Sequence, residues 1–114
     1  MDILESVLED ISIVSLRGRL DTSCAGDLEK KLDSLINSAQ VRMVVNLKEV
    51  EYISSSGLRV FLAELKKVRK QGGDIKLACL KPEIRQVFDI AGFTQLFNIF
   101  DTMELAMAHY KESR

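Results

Sequence analysis

Ser54-Ser55-Ser56 are the residues of this chain best placed to do chemistry. They stand between an apolar run and a stretch with helical periodicity, where a helix N-cap must fall. A hydroxyl there lies beside unpaired backbone N–H groups and the positive end of the helix dipole, a favourable place to carry a phosphate. On residue types alone they cap a helix, and nothing more is required of them. Gly57 follows inside the first turn, where glycine costs up to about 1 kcal/mol relative to Ala. It satisfies either a local packing need or the close approach of another protein's backbone. Asp21 either turns the chain or contacts a partner, because partners favour the C-terminal edge of an α/β sheet.

Other chemistries lack their residues. His109 is the only histidine and falls in the last predicted helix, so no Ser/His/Asp set can be built. No second His or Cys stands at metal spacing, and no metal or other cofactor is expected. The P-loop pattern Gly-x-x-x-x-Gly-Lys does not occur. An enzyme working through a phosphoserine intermediate would need a base and an electrophile beside Ser55, and no pair is available. Lys66, Lys67, Arg69 and Lys70 read as the solvated face and last turn of a helix, where cations suit the dipole, rather than as a nucleic-acid patch. Met103 and Met107 read as filler.

The elements that position the serines follow from periodicity. Val41 to Leu47 is a nearly unbroken apolar and β-branched run, the pattern of a strand covered on both faces. A loop should lead from it to the serines. Leu58, Phe61, Leu62, Leu65 and Val68 then mark one face of a helix ending at Gln71-Gly72-Gly73. Upstream, Ile3–Leu8 and Ile11–Arg17 predict a hairpin turning at Glu9-Asp10, with Gly18 ending the second strand and Arg19-Leu20-Asp21 a loop. Thr22 or Ser23 should cap a helix with Ala25, Leu28, Leu32, Leu35 and Ile36 inward, fraying near Asn37-Ser38. Downstream, Ile75–Leu80 reads as a strand. Pro82 opens a helix with face Ile84, Val87, Phe88 and Ala91 and stop at Gly92. Leu96–Phe100 is a short final strand. Asp101 and Glu104 resemble a capping box for a last helix carrying Leu105, Ala108 and Tyr110. A strand pair followed by alternating helices and strands implies an α/β fold: one mixed, mainly parallel sheet of four to five strands with about four helices.

Composition sets the outer bounds. At 114 residues a single domain, 1–114, is the default. Apolar residues are 46% and charged residues 29%, with net charge −1, so no general attraction to nucleic acid or anionic membrane is expected. Cys24 and Cys79 suit a reducing cytoplasm as free thiols. Asp2 and Glu5 interrupt any signal-peptide run, and no stretch approaches a membrane span.

Three stretches together resemble the STAS-type anti-anti-sigma factors of bacteria. Asn46-Leu47 followed by Ser54-Ser55-Ser56-Gly57-Leu58 is similar to their strand ending in Asn-Leu, then Asp-Ser-Ser-Gly-Leu. Ser54 departs from the pattern, standing where the family usually has Asp. Gly18-Arg19-Leu20-Asp21 resembles Gly-x-Leu/Ile-Asp, and Val87-Phe88-Asp89-Ile90-Ala91-Gly92-Phe93 resembles Leu/Phe-Asp-x-x-Gly. The resemblance implies the STAS fold and a regulatory binding module, not an enzyme. Its unphosphorylated form would bind an anti-sigma factor that is also a serine kinase, freeing the sigma factor. Phosphorylation of Ser55, with Ser54 and Ser56 as rivals, would release it, and a serine phosphatase would reset it. The implied partner surface comprises Asp21, Thr22, Ser54, Ser55, Ser56, Gly57 and Arg59. The expected state is a cytoplasmic monomer or weak dimer with no direct nucleic-acid or membrane contact. The alternative is a STAS interaction module of a larger stress-sensing or transport assembly without the switch.

Overall fold

The structure, a computed structural model, describes residues 1–112; the last two residues of the expected span 1–114 lie outside the described residues. The order is β1 (Asp2–Leu8), β2 (Ile11–Leu20), α1 (Ala25–Asn37), β3 (Arg42–Ile53), α2 (Ser55–Lys70), β4 (Asp74–Ala78), α3 (Pro82–Ile90), a 3-10 turn (Phe93–Gln95), β5 (Ile99–Phe100) and α4 (Met103–Glu112). The five strands form one sheet in the order β1-β2-β3-β4-β5. β1 and β2 are antiparallel, and the remaining neighbours are parallel. This is the mixed, mainly parallel sheet expected from the alternation of patterns.

Successive strand residues face opposite sides of the sheet, and two cores result. Met43, Val45 and Leu47 join Val14, Leu16, Ile75 and Leu77 under α1, α2 and α3. All five residues expected on the inner face of α1 are buried there. Phe61 of α2 meets Phe88 of α3 edge-on, with ring centroids 6.0 Å apart, and Phe97 meets both. On the other side Val44, Ile11 and Ala78 are covered by Ala106 and Tyr110 of α4. The Tyr110 hydroxyl accepts from the Met43 N–H at 2.9 Å and lies 2.7 Å from both the Met43 and Asp74 carbonyls. A phenol buried this way is fully hydrogen-bonded, and burial pushes its pKa well above the ordinary value.

Several expectations change. β2 continues through Arg19 to Leu20 instead of ending at Gly18, and β3 continues from Leu47 to Ile53, where a loop was expected. Two register shifts explain this. Ser15↔Asn46 is followed by Arg17↔Glu49, and Gly18↔Val50 by Arg19↔Tyr52, so β3 carries an extra residue at each step. The bulges break the alternation that would have marked a strand. β4 ends at Ala78, and β5 is only Ile99–Phe100. The α1 cap position is Cys24, whose side chain caps no helix N–H, instead of Thr22 or Ser23. α4 is capped by Thr102, whose Oγ1 accepts from the Leu105 N–H at 3.1 Å, and not by Asp101. Its buried face is Ala106 and Tyr110, while Leu105 and Ala108 are exposed. In α3, Ile84 and Phe88 are buried and Ala91 is exposed. In α2, Leu58 and Leu62 are only half-buried. Val60 and Glu64 are buried instead, because α1 and the sheet both pack against the helix.

Candidate functional site at the start of the central helix

The bulged β2–β3 ladder delivers two chain segments side by side. Leu20 and Ile53 are register partners at the C-terminal ends of parallel strands, and the Ser54 N–H donates to the Leu20 carbonyl at 2.8 Å. Asp21-Thr22 and Ser54-Ser55-Ser56 therefore leave the sheet next to each other. The Thr22 and Ser56 hydroxyls are hydrogen-bonded at 3.2 Å, fastening the start of one segment to the other.

The three serines occupy different positions. Ser54 is the N-cap of α2, with extended backbone, and is 8% exposed. Its Oγ accepts from the Gly57 N–H at 3.1 Å. Ser55 is the first helical residue and is exposed, while Ser56 is half-buried and tied to Thr22. The N–H groups of Ser55 and Ser56 belong to the first turn, which has no preceding carbonyls within the helix to bond. Arg59 is exposed one turn after Ser55, four residues on, where helix side chains are neighbours.

Gly57 has a packing cause. A Cβ there would come within 2.7 Å of Leu20 Cγ and 2.8 Å of Cδ2. Leu20 is fully buried, so it has little room to give way. Asp21 acts within its own turn. Its Oδ1 accepts from the Ser23 N–H at 3.0 Å and from the Ser23 hydroxyl at 2.6 Å. The Ser23 hydroxyl, followed by the Cys24 thiol, holds the Asp21 carboxyl below its usual pKa. Arg19 and Tyr52 were not singled out from sequence. They are register partners, with the guanidinium carbon 4.4 Å from the ring centroid. Their signal was present, since Arg19 lies within the Gly-Arg-Leu-Asp stretch, but without the β3 extension nothing placed Tyr52 beside it.

The remaining candidates lie apart from the serines. His109 packs its ring against Phe100, with centroids 5.2 Å apart, and Met103 and Met107 pack against the α4 core. Lys67 and Arg69 are engaged in ion pairs with Asp33, Glu64 and Asp74. Cys24 and Cys79 are free cysteines. Among the described residues no group of three or more His, Cys, Asp or Glu is arranged to hold a metal ion, and no helix is long and apolar enough to cross a membrane.

A five-stranded mixed sheet with an exposed serine at the start of its central helix defines a small α/β module. The STAS domain family model matches residues 4–106, and the chain belongs to that family. Its relatives carry regulatory names. BtrV of Bordetella bronchiseptica, provisionally named an anti-sigma factor antagonist, is 36% identical over 104 residues, 91% of this chain and 90% of its own length. The anti-sigma-B factor antagonist of Bacillus subtilis is 38% identical over 87 residues, 75% of this chain and 78% of its own. The chain is thus a member of the anti-sigma factor antagonist family, whose members are named for regulation and not for catalysis. SpoIIAA, a Bacillus cell fate determinant and anti-sigma factor antagonist, shares the fold. Its unphosphorylated form superposes with TM-score 0.86 at 19% identity, covering 97% of both chains. Its phosphorylated form gives 0.77 at 19% identity, covering 96% of this chain and 99% of that one.

Proposed function

We propose that this chain is a cytoplasmic partner-switching protein. Unphosphorylated, it binds an anti-sigma factor that is also a serine kinase. Transfer of phosphate to Ser55 releases it, and a serine phosphatase restores it. The observation that carries this reading is the exposure of Ser55 at the first position of α2, beside a neighbour, Ser54, that is buried as the cap. Ser54 in place of the family's usual Asp supplies the same cap acceptor, and its burial argues against it as the phosphate acceptor. The names of the relatives and the existence of a phosphorylated SpoIIAA support the same reading. The proposed contact surface is Asp21, Thr22, the three serines, Gly57 and Arg59, extended by Arg19 and Tyr52.

The switch follows from electrostatics without any unfolding. Phosphate adds about −1.5 to −2 charge at neutral pH. In the free protein that charge meets first-turn N–H groups, the helix dipole and Arg59 one turn on, so it is tolerated. Pressed against a kinase, the same group must be desolvated. A penalty of about 3 kcal/mol confined to the complex weakens binding more than a hundredfold.

The test is phosphorylation by the cognate kinase with ATP, mapped by mass spectrometry. Ser55→Ala should fold, bind the kinase and accept no phosphate, whereas Ser55→Asp should fold and bind weakly. Full-rate phosphorylation of Ser55→Ala would transfer the role to Ser54 or Ser56. If none of the three accepts phosphate, the chain is a STAS interaction module without a switch.

A further inference from the structure

The sheet has one long open edge. β5 closes the far side with only two residues, while β1 runs seven residues, Asp2–Leu8, with β2 on one side and solvent on the other. Soluble proteins blunt such edges with lysine, proline, bulges or a covering element. β1 has none of these four, and its charged residues are Asp2 at its start and Glu5, which is engaged with Lys31. Its sequence holds neither Lys nor Pro, and its seven register pairs with β2 are unbroken. It also holds three of the most exposed large apolar side chains: Leu4 at 54%, Val7 at 58% and Leu8 at 56%.

The two faces of β1 differ. Ile3 packs against the main core, and on the same face Glu5 pairs with Lys31 of α1 at 2.9 Å. Leu4, Ser6 and Leu8 point to the opposite face. There Leu8 borders a groove of about 410 Å³ whose other walls include Ile13, Met103 and Met107. An edge of this kind exposes both backbone hydrogen-bonding groups and apolar side chains.

We propose that a second copy of this chain occupies the edge, with β1 pairing antiparallel to its own copy about a two-fold axis through Ser6. The register follows from the side chains. Centring on Ser6 sets Leu4 opposite Leu8 of the copy twice over, Ser6 opposite Ser6, and Glu5 opposite Val7. Paired residues differ by an even number, so edge-facing N–H and C=O groups meet edge-facing groups. Centring on Glu5 would oppose that carboxylate to itself, which is destabilising. Centring on Val7 would set Leu4 opposite Asp10 of the turn, outside the strand, and centring on Leu4 would leave Leu8 uncovered. The Ser6 register alone among these four covers both leucines and opposes no acids within the strand. The contact is isologous, as closed two-fold dimers require, and joins the two sheets into one. It lies on the lateral edge of the sheet, whereas the serine site lies at the C-terminal ends of β2 and β3, so it does not depend on the proposed switch.

Sedimentation equilibrium of the full chain, from low micromolar to several hundred micromolar, tests this. The apparent mass should rise towards twice that of the chain. Ser6→Lys, which opposes two ammonium groups, should weaken self-association at least about tenfold while leaving the melting temperature of the dilute protein unchanged. Leu4→Glu should do the same and serves if Ser6→Lys fails to fold. Leu105→Lys, at a leucine equally exposed on α4, should associate like the parent. For the register, Ser6→Cys should cross-link faster than Glu5→Cys under oxidation that leaves the parent uncross-linked. A parent that stays monomeric throughout overturns the proposal, as does unchanged association of both Ser6→Lys and Leu4→Glu. Faster cross-linking of Glu5→Cys overturns the register.

Discussion

Glu64 should make the stability of this protein fall as pH rises from about 4.5 to about 7. Its side chain is fully buried in the contact of α2 with α1, and its Oε2 makes no hydrogen bond. Lys67 reaches Glu64 Oε1 at 3.3 Å and Asp33 Oδ1 at 2.9 Å. Burial first, and the neighbouring Asp33 second, raise the Glu64 pKa from 4.5 to about 7, whereas Lys67 holds Asp33 below its usual value. Between those two pH values the folded chain keeps a proton that the unfolded chain has lost, so stability declines across the window and levels off above it. A shift of this size corresponds to about 3 kcal/mol. Asp33 acts in the opposite sense: its contribution is present above its unfolded pKa and is lost as pH falls through its lowered folded pKa, outside this window. Glu64→Gln removes the titration while keeping the shape. From about pH 5 to about pH 8 the difference in unfolding free energy between variant and parent should move by about 2–3 kcal/mol in favour of the variant. Urea denaturation at a series of pH values measures it, and the shared background of other groups cancels in the difference. Parallel profiles, with a change below about 0.5 kcal/mol, would refute the reasoning.

Four further outcomes are expected. Gly57→Ala should destabilise by about 1–2 kcal/mol, overpacking against Leu20 outweighing the better helix propensity, and Leu20→Ala should relieve the clash in a double-mutant cycle. Phe61→Ala should cost about 3–5 kcal/mol in chemical denaturation, since Phe61 is fully buried among aromatic rings; half-buried Leu62→Ala should cost clearly less. Asp21→Ala should lower the melting temperature slightly through its lost bonds to Ser23, and calorimetry with the kinase proposed above should show weaker binding by the folded fraction. Gly73→Ala should unfold at markedly lower denaturant, because a Cβ there would clash with the Val41 backbone carbonyl.

What was legible in the sequence was whatever kept a clean period. α1 shows one unbroken apolar face, and all five residues read from it are buried. The start of β3 is continuous and apolar, and it is the central strand. The second half of β3 was hidden by its chemistry: Lys48, Glu49, Glu51 and Tyr52 are exposed, and two bulges separate Leu47, Val50 and Ile53 by three residues instead of two. That spacing imitates neither a strand nor a short loop. α4 forms as expected with Tyr110 buried, but the rest of its inner face differs for another reason. Met103, Ala106, Met107 and Tyr110 do form a helical face, but the larger Leu105 drew the assignment away from Ala106, and nothing local announces that a tyrosine hydroxyl will bond two strands.

The site divides along the same line. That a helix begins at the serines could be read directly, because serine is a cap residue and the helical period starts just after it. Which serine does what could not, because residue type is identical at all three positions and only the chain path distinguishes them. That path is set by the bulged ladder. It brings Ile53 level with Leu20, so the next amide, Ser54, bonds the Leu20 carbonyl and turns its hydroxyl inward to Gly57. Leu20 then fills the space that a side chain at position 57 would need. Ser54, Leu20 and Gly57 thus form one packing unit, and Ser55 is the first residue beyond it that faces solvent. The departure from the usual Asp at position 54 consequently falls on a residue whose structural task is to accept one N–H. A serine performs that task with a neutral oxygen, leaving one less negative charge beside Ser55.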